Sequence, residues 1–140
     1  MKAVDSRYNR CLYFASHALA RKIEKLADKA WERVKLSPSH AYLLMLVIDD
    51  PGIQPTALVD QLLLAPSTVT RLIEKLEEKK LVQRKTEGKI TKVYPSQKAR
   101  AMRAVLGECL TAFYEQYCSI IGRDESARLA QTMNKISDKL

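Results

Sequence analysis

Glycine is scarce in this 140-residue chain, with four residues, and aromatic residues make up 6%. That poverty argues against a sheet-rich or disordered protein, and the abundance of Ala, Leu, Lys and Glu argues for a mainly helical one. The longest apolar run, Ala41 to Ile48, is eight residues, far too short to cross a bilayer. The opening MKAVDSRYNR has no apolar core of the kind a signal peptide needs. The expectation is a soluble cytoplasmic protein with no membrane partner. Three cysteines, Cys11, Cys109 and Cys118, form an odd set without CxxC spacing or neighbouring His ligands. A disulfide framework and a zinc site are both disfavoured, and all three read first as buried reduced thiols. GxSxG, HExxH, P-loop and paired-carboxylate patterns are missing, so the chain does not read as an enzyme, and no metal or cofactor is expected.

What is present is an uneven distribution of charge. The net charge is +8. Residues 1–35 carry +5, residues 36–65 carry −3, residues 66–103 carry +7 and residues 104–140 carry −1. Lysine and arginine concentrated in one segment point to a polyanionic partner more strongly than an overall basic pI does.

Apolar residues from Val4 through Leu12, Leu19 and Leu26 to Val34 keep helical spacing for about eight turns without Pro or Gly. A continuous helix of that length would span about 45 Å and outgrow a small globule, which predicts a partner chain. Ser37 and Pro38 read as the N-cap and first position of a short helix through Ile48, stopped by Asp49-Asp50-Pro51-Gly52. Pro55 opens a second short helix and Pro66 a third, running to about Lys80. Residues 81–86 and 89–94 are β-prone around a Glu87-Gly88 turn. Ser96 caps a long helix ending near Gly122, and Asp124 caps a last helix with Leu129, Met133, Ile136 and Leu140 in 4-3-4 spacing.

The fold class is therefore mainly α with a small β-hairpin: a winged helix-turn-helix module, residues 36–100, inside one domain of residues 1–140. Residues 1–35 and 101–140 read as a helical dimerisation region. Within the third short helix, Val69, Leu72, Ile73 and Leu76 form the stripe to be buried. Pro66, Ser67, Thr68, Thr70 and Arg71 then lead toward a DNA groove. Small hydroxyl side chains let the backbone approach a duplex, free N–H groups in a first turn accept phosphate, and Arg71 has the fork for a guanine edge. Lys75, Lys79 and Lys80 suit phosphates as point charges.

LSPSHAYLLMLVIDDPGIQPTALVDQLLLAPSTVTRLIEKLEEKKLVQRK resembles the core pattern of the MarR family of bacterial transcriptional regulators. STVTRLIEKLEEKKLV is its most specific part, and PSQKAR is similar to the family's way into the following helix. The resemblance implies a homodimer with intertwined terminal helices, two winged modules on double-stranded DNA and, in many members, release by a small aromatic or phenolic effector. One departure stands out: KTEGKITKVYP is shorter than the family's wing and lacks its acidic-x-Arg tip. Arg84, Lys85, Lys89 and Lys92 remain as candidate DNA contacts in this wing.

Tyr13, His17, Trp31 and His40 are the candidate effector-pocket residues. The expected function is a sequence-specific, ligand-responsive repressor that binds a pseudo-palindromic operator as a homodimer. Two alternatives stand beside it. One is an oxidant-sensing regulator of the same fold whose reactive thiol is Cys11, flanked by Tyr8 and Tyr13. The other is a winged-helix protein-interaction module that does not read DNA.

Overall fold

A computed structural model describes residues 1–140. Seven helices and one hairpin follow in the order α1 (Leu12–Ala30), α2 (Pro38–Asp49), α3 (Pro55–Leu62), α4 (Pro66–Glu78), β1 (Val82–Glu87), β2 (Ile90–Pro95), α5 (Gln97–Ala101), α6 (Arg103–Ile121) and α7 (Arg123–Lys139). The mainly helical class with a two-stranded antiparallel hairpin holds as expected.

The centre of the fold is α2. It is apolar nearly all round, burying Ala41, Leu43, Leu44, Met45 and Val47, as a helix with neighbours on every side must. It touches α3, α4, α5, α6 and β2. Ser37 starts it, its hydroxyl accepting the His40 N–H at 3.4 Å, with Pro38 behind. One apolar cluster runs from Ala27 and Trp31 of the α1 end through α2, Leu58, the α4 stripe and Val93 to Leu106, Cys109 and Phe113 of α6.

The N-terminal helix is shorter than its apolar spacing predicts. Nineteen residues form α1, about 28 Å long, rather than a continuous run from Val4 to Val34. The cause upstream is local polar competition with the helical ladder. Ser6 Oγ accepts the Tyr8 N–H at 3.2 Å, and the Asn9 amide donates to the Val4 carbonyl at 2.6 Å. Downstream, Trp31 leaves helical geometry and a single 3-10 turn, Glu32–Val34, follows. Length alone therefore no longer calls for a partner chain. The helix after Ser96 is also divided. Ser96 caps only α5, accepting the Ala99 N–H at 3.1 Å, and the chain breaks step at Met102. The break sets Arg103 where Nε and Nη2 bind both Asp49 oxygens, at 2.8 and 3.0 Å, fastening α6 to the end of α2. The last helix is capped by Gly122 rather than Asp124: Gly122, at φ 101°, turns the chain, and its carbonyl accepts the Ser126 N–H at 3.0 Å. Asp124 lies in the first turn instead, where its charge suits the helix dipole.

No helix is long and apolar enough to cross a membrane.

Candidate nucleic-acid interface

The helix-turn-helix is α3, a tight turn and α4. Leu63 stops α3 in the left-handed region at φ 54°, and Pro66 restarts the chain as α4. The four stripe residues of α4, Val69, Leu72, Ile73 and Leu76, are all buried, as the spacing predicts. Each such side chain contributes about 1.5–3 kcal/mol on leaving water, so the helix is held by one face and its opposite face is free. That face carries Ser67, Thr70, Arg71, Glu74, Lys75 and Glu78, all exposed.

The first turn of α4 has no side-chain cap. Thr68 and Val69 N–H groups both bond the Ala65 carbonyl, at 3.0 and 3.1 Å, and the Ser67 N–H donates to nothing within the chain. An uncapped N–H beside exposed Pro66 and Ser67 is the standard reception point for a phosphate oxygen. Thr70 is different from its hydroxyl neighbours. Its Oγ1 donates to the Pro66 carbonyl at 3.0 Å, so its donor is occupied and it offers a methyl group and acceptor lone pairs. Arg71 makes no ion pair, whereas Lys75 lies 3.4 Å from Glu78 one turn on. Beside this face is a hollow of about 220 Å³ between α3 and α4, lined by Thr56, Asp60, Pro66 and Thr70 among others. Thr56, which sequence reading passed over, is placed there by Pro55 at the start of α3.

Where α4 ends, the chain turns through a Schellman motif. The Lys80 N–H bonds the Glu77 carbonyl at 2.9 Å and the Leu81 N–H bonds the Leu76 carbonyl at 2.9 Å, with Lys80 left-handed at φ 59°. Leu76 and Leu81, both buried, supply the apolar contact that accompanies this ending. The expected helix end at Lys80 thus falls at Glu78, and the wing begins at once.

In the wing the register pairs Glu87 with Ile90, so the two loop residues are Gly88 and Lys89, one place beyond the expected turn. Gly88, at φ 63°, takes the first loop position, where a two-residue hairpin favours glycine. Alternation then divides the four basic wing candidates. Lys85 pairs with Lys92 on the outward face, with Lys85 over the Tyr94 ring at 5.2 Å, and Lys89 sits at the tip. Two like charges directly opposed on an exposed strand pair repel one another and favour an anion between them. Arg84, paired with Val93, lies on the inward face, and its guanidinium is 2.6 Å from Glu77. The wing is rooted by a single β-bridge to Ile53: Val93 bonds Ile53 and Gly52 through its N–H and C=O, at 2.9 and 2.8 Å.

The four effector-pocket candidates are not brought together. Tyr13 and His17 stack at 4.2 Å on the exposed start of α1, where the His17 Nδ1–H donates to the Tyr13 carbonyl at 2.8 Å. Trp31 is fully buried in the core, against Tyr42 at 5.1 Å and Phe113 at 5.5 Å, because the α1 helix ends there and turns its ring inward. His40 lies under the start of α2, its Nδ1 hydrogen-bonded to the Ser37 hydroxyl. Burial first, then the charges of Lys79 and Lys75, hold its pKa below 6.5. The structure gathers a different aromatic set. Tyr42, Leu110, Thr111, Phe113, Tyr114 and Tyr117 line a hollow of about 380 Å³ between α2 and α6. Burial, reinforced by the neighbouring Tyr117, pushes the Tyr42 phenol above its ordinary range.

Cys109 and Cys118 are buried as expected; Cys11 is not. It precedes α1 as the N-cap residue, outside the packed part of that helix. No three His, Cys, Asp or Glu side chains converge in a metal-binding group.

Residues 35–89 match the MarR family. The resemblance carried by the α4 motif therefore holds from the start of α2 through β1 to the tip of the wing. A sequence comparison with curated proteins gives no match. Over nearly the full chain, the fold is similar to that of the transcriptional repressor CouR bound to p-coumaroyl-CoA, with TM-score 0.85, 18% identity, and 97% of this chain and 98% of that one covered. It is also similar to a mutant MarR from E. coli complexed with operator DNA, with TM-score 0.79, 16% identity and coverage of 94% and 99%. For the S. aureus MepR–DNA complex the values are 0.78, 14%, 92% and 98%. At these identities the likeness is one of fold.

Proposed function

We propose that this chain, whose residues 35–89 match the MarR family, is a DNA-binding transcriptional regulator that works as a homodimer on a pseudo-palindromic operator. The observation that carries the reading is α4: four buried apolar residues seat it, while an uncapped first turn and unpaired Arg71 face solvent on the opposite side. Pro66, Ser67 and Thr68 would approach the backbone, Arg71 and the Thr70 methyl would read base edges, and Lys75, Lys85, Lys89 and Lys92 would hold phosphates. Residues 36–100 form the DNA-binding unit in this reading, and residues 1–35 and 101–140 the dimer contact. Two of the similar folds, MarR and MepR, are complexes with DNA.

The test is a titration of labelled duplex across salt concentrations. Affinity is expected to fall steeply with salt. Arg71→Ala should lose about 1–3 kcal/mol of discrimination at one base position per half-site, and Lys75→Ala should weaken all sequences alike and lower the salt slope by about one. Wild-type protein that shifts no duplex even at low salt would leave the interaction-module alternative in its place.

Ligand response is supported separately by the aromatic hollow between α2 and α6, and by CouR, a similar fold that is bound to p-coumaroyl-CoA. Trp31 is the single tryptophan and packs on Tyr42 and Phe113, two walls of that hollow. Its fluorescence should therefore change as an aromatic acid or its CoA thioester is titrated, and DNA should be released over the same range. Unchanged fluorescence across such a panel would remove the effector from the proposal.

A further inference from the structure

The wing is a two-stranded hairpin, marginal without support. Its root is secured by buried Val82, Val93 and Pro95, but from Lys85 to Ile90 every residue is exposed. Between root and tip stands Arg84. Because Val93 spends its N–H and C=O on Ile53 and Gly52, Arg84 and Val93 form a non-hydrogen-bonded pair, and the Arg84 N–H faces the open edge of β1. There it donates to Glu77 Oε2 at 3.3 Å, while Arg84 Nη2 donates to Glu77 Oε1 at 2.6 Å. One carboxylate on α4 thus holds both the backbone and the side chain of one wing residue. Both side chains are about two-thirds shielded, 34% and 29% exposed, so solvent screens this pair less than the surface pairs of α4. Glu77 also stands in the last turn of α4, where a negative charge opposes the helix dipole and needs a cation.

We propose that Arg84 is a positioning residue and not a DNA contact: with Glu77 it clamps the wing at a fixed angle to α4, which sets the spacing between Arg71 and the outward lysines Lys85, Lys89 and Lys92. The inference rests on the DNA-binding reading for its consequence, though not for the clamp itself.

Two measurements on Arg84→Ala, Glu77→Ala and the double variant decide it. In free protein, hydrogen exchange at the Arg84 amide of Glu77→Ala should speed by about tenfold or more, with the α4 core amides unchanged. Unchanged exchange overturns the clamp whether or not the protein binds DNA. In duplex titrations each single variant should bind about fivefold or more weakly, the double no more weakly than the worse single, and the salt slope should stay at its wild-type value. If Arg84→Ala lowers the salt slope by about 0.9 while Glu77→Ala binds as wild type, Arg84 is a phosphate contact and the proposal fails. Failure of wild-type protein to bind any duplex defeats the DNA reading and leaves the exchange result to decide the clamp.

Discussion

The winged module and the terminal helix α7 are both amphipathic by sequence, yet they satisfy their apolar faces in different ways. All four stripe residues of α4 are buried within the chain. On α7, Leu129 is only half-buried, Met133 and Ile136 remain 45% and 42% exposed, and the one buried residue is Ser126. Leu12, Tyr13, Ile120 and Leu140 add to the apolar surface of the terminal regions. The α7 stripe meets its own chain only in part: α7 packs on α6, and Leu129 and Met133 face Ile23, Tyr117 and Ile121, which leaves apolar surface that costs free energy unless something covers it. The module buries its stripe within one copy, and in the proposed dimer the termini are the part that a second copy would cover.

This contrast is broken most severely by removing core from the module. Leu76→Ala is expected to cost about 2–5 kcal/mol of folding stability, read from urea unfolding, because Leu76 is fully buried and also closes the Schellman contact with Leu81. The corresponding cut on α7, Ile136→Glu, should leave the module folded. Its effect should fall on self-association, weakening the dimer by about tenfold or more in sedimentation. A variant that loses folding stability as Leu76→Ala does, without a change in mass, would place Ile136 in the core of one chain.

Smaller effects test the joints of the module. Lys80 holds a left-handed conformation that costs an L-residue about 1–2 kcal/mol, part of which glycine returns as unfolded-state entropy. Lys80→Gly should therefore raise stability by about 0.5–1 kcal/mol in thermal unfolding. The smallest effect concerns His40. Folding lowers its pKa, so below 6.5 the unfolded chain takes up a proton that the folded chain refuses. Its contribution to stability is present above pH 6.5 and is lost as pH falls from there through the folded value. His40→Gln should flatten that part of the pH profile; an unchanged profile would show that His40 does not titrate differently on folding.

Much of this was legible in the sequence where local chemistry decides. Pro38, Pro55 and Pro66 open helices as read, Ser37 caps as read, Ser96 caps a helix shorter than read, and the α4 stripe is buried as read. The errors have one physical origin, which is that spacing records which face is apolar and not where the backbone leaves the helix. Val4 and Val34 keep the period of α1, but Ser6 and Asn9 redirect the backbone on one side and Trp31 on the other. The candidate site shows the same limit. Ser67 and Arg71 could be placed by helical geometry, whereas Arg84 looked equivalent to Lys85 until the register put it on the other face, against Glu77. Tyr13, His17, Trp31 and His40 are grouped by the resemblance, which places effectors between the first two helices, whereas packing sets Tyr13 and His17 at the exposed start of α1 and Trp31 in the core, and Tyr42, Phe113, Tyr114 and Tyr117 line a separate hollow.

Selection from a random pool of duplex DNA tests the central claim most directly. Two recognition helices on a two-fold axis predict an enriched pseudo-palindrome with half-site centres about 10 bp apart, and loss of preference at one position per half-site in Arg71→Ala. A pool that shows no enriched motif after repeated rounds with folded, dimeric protein would contradict it.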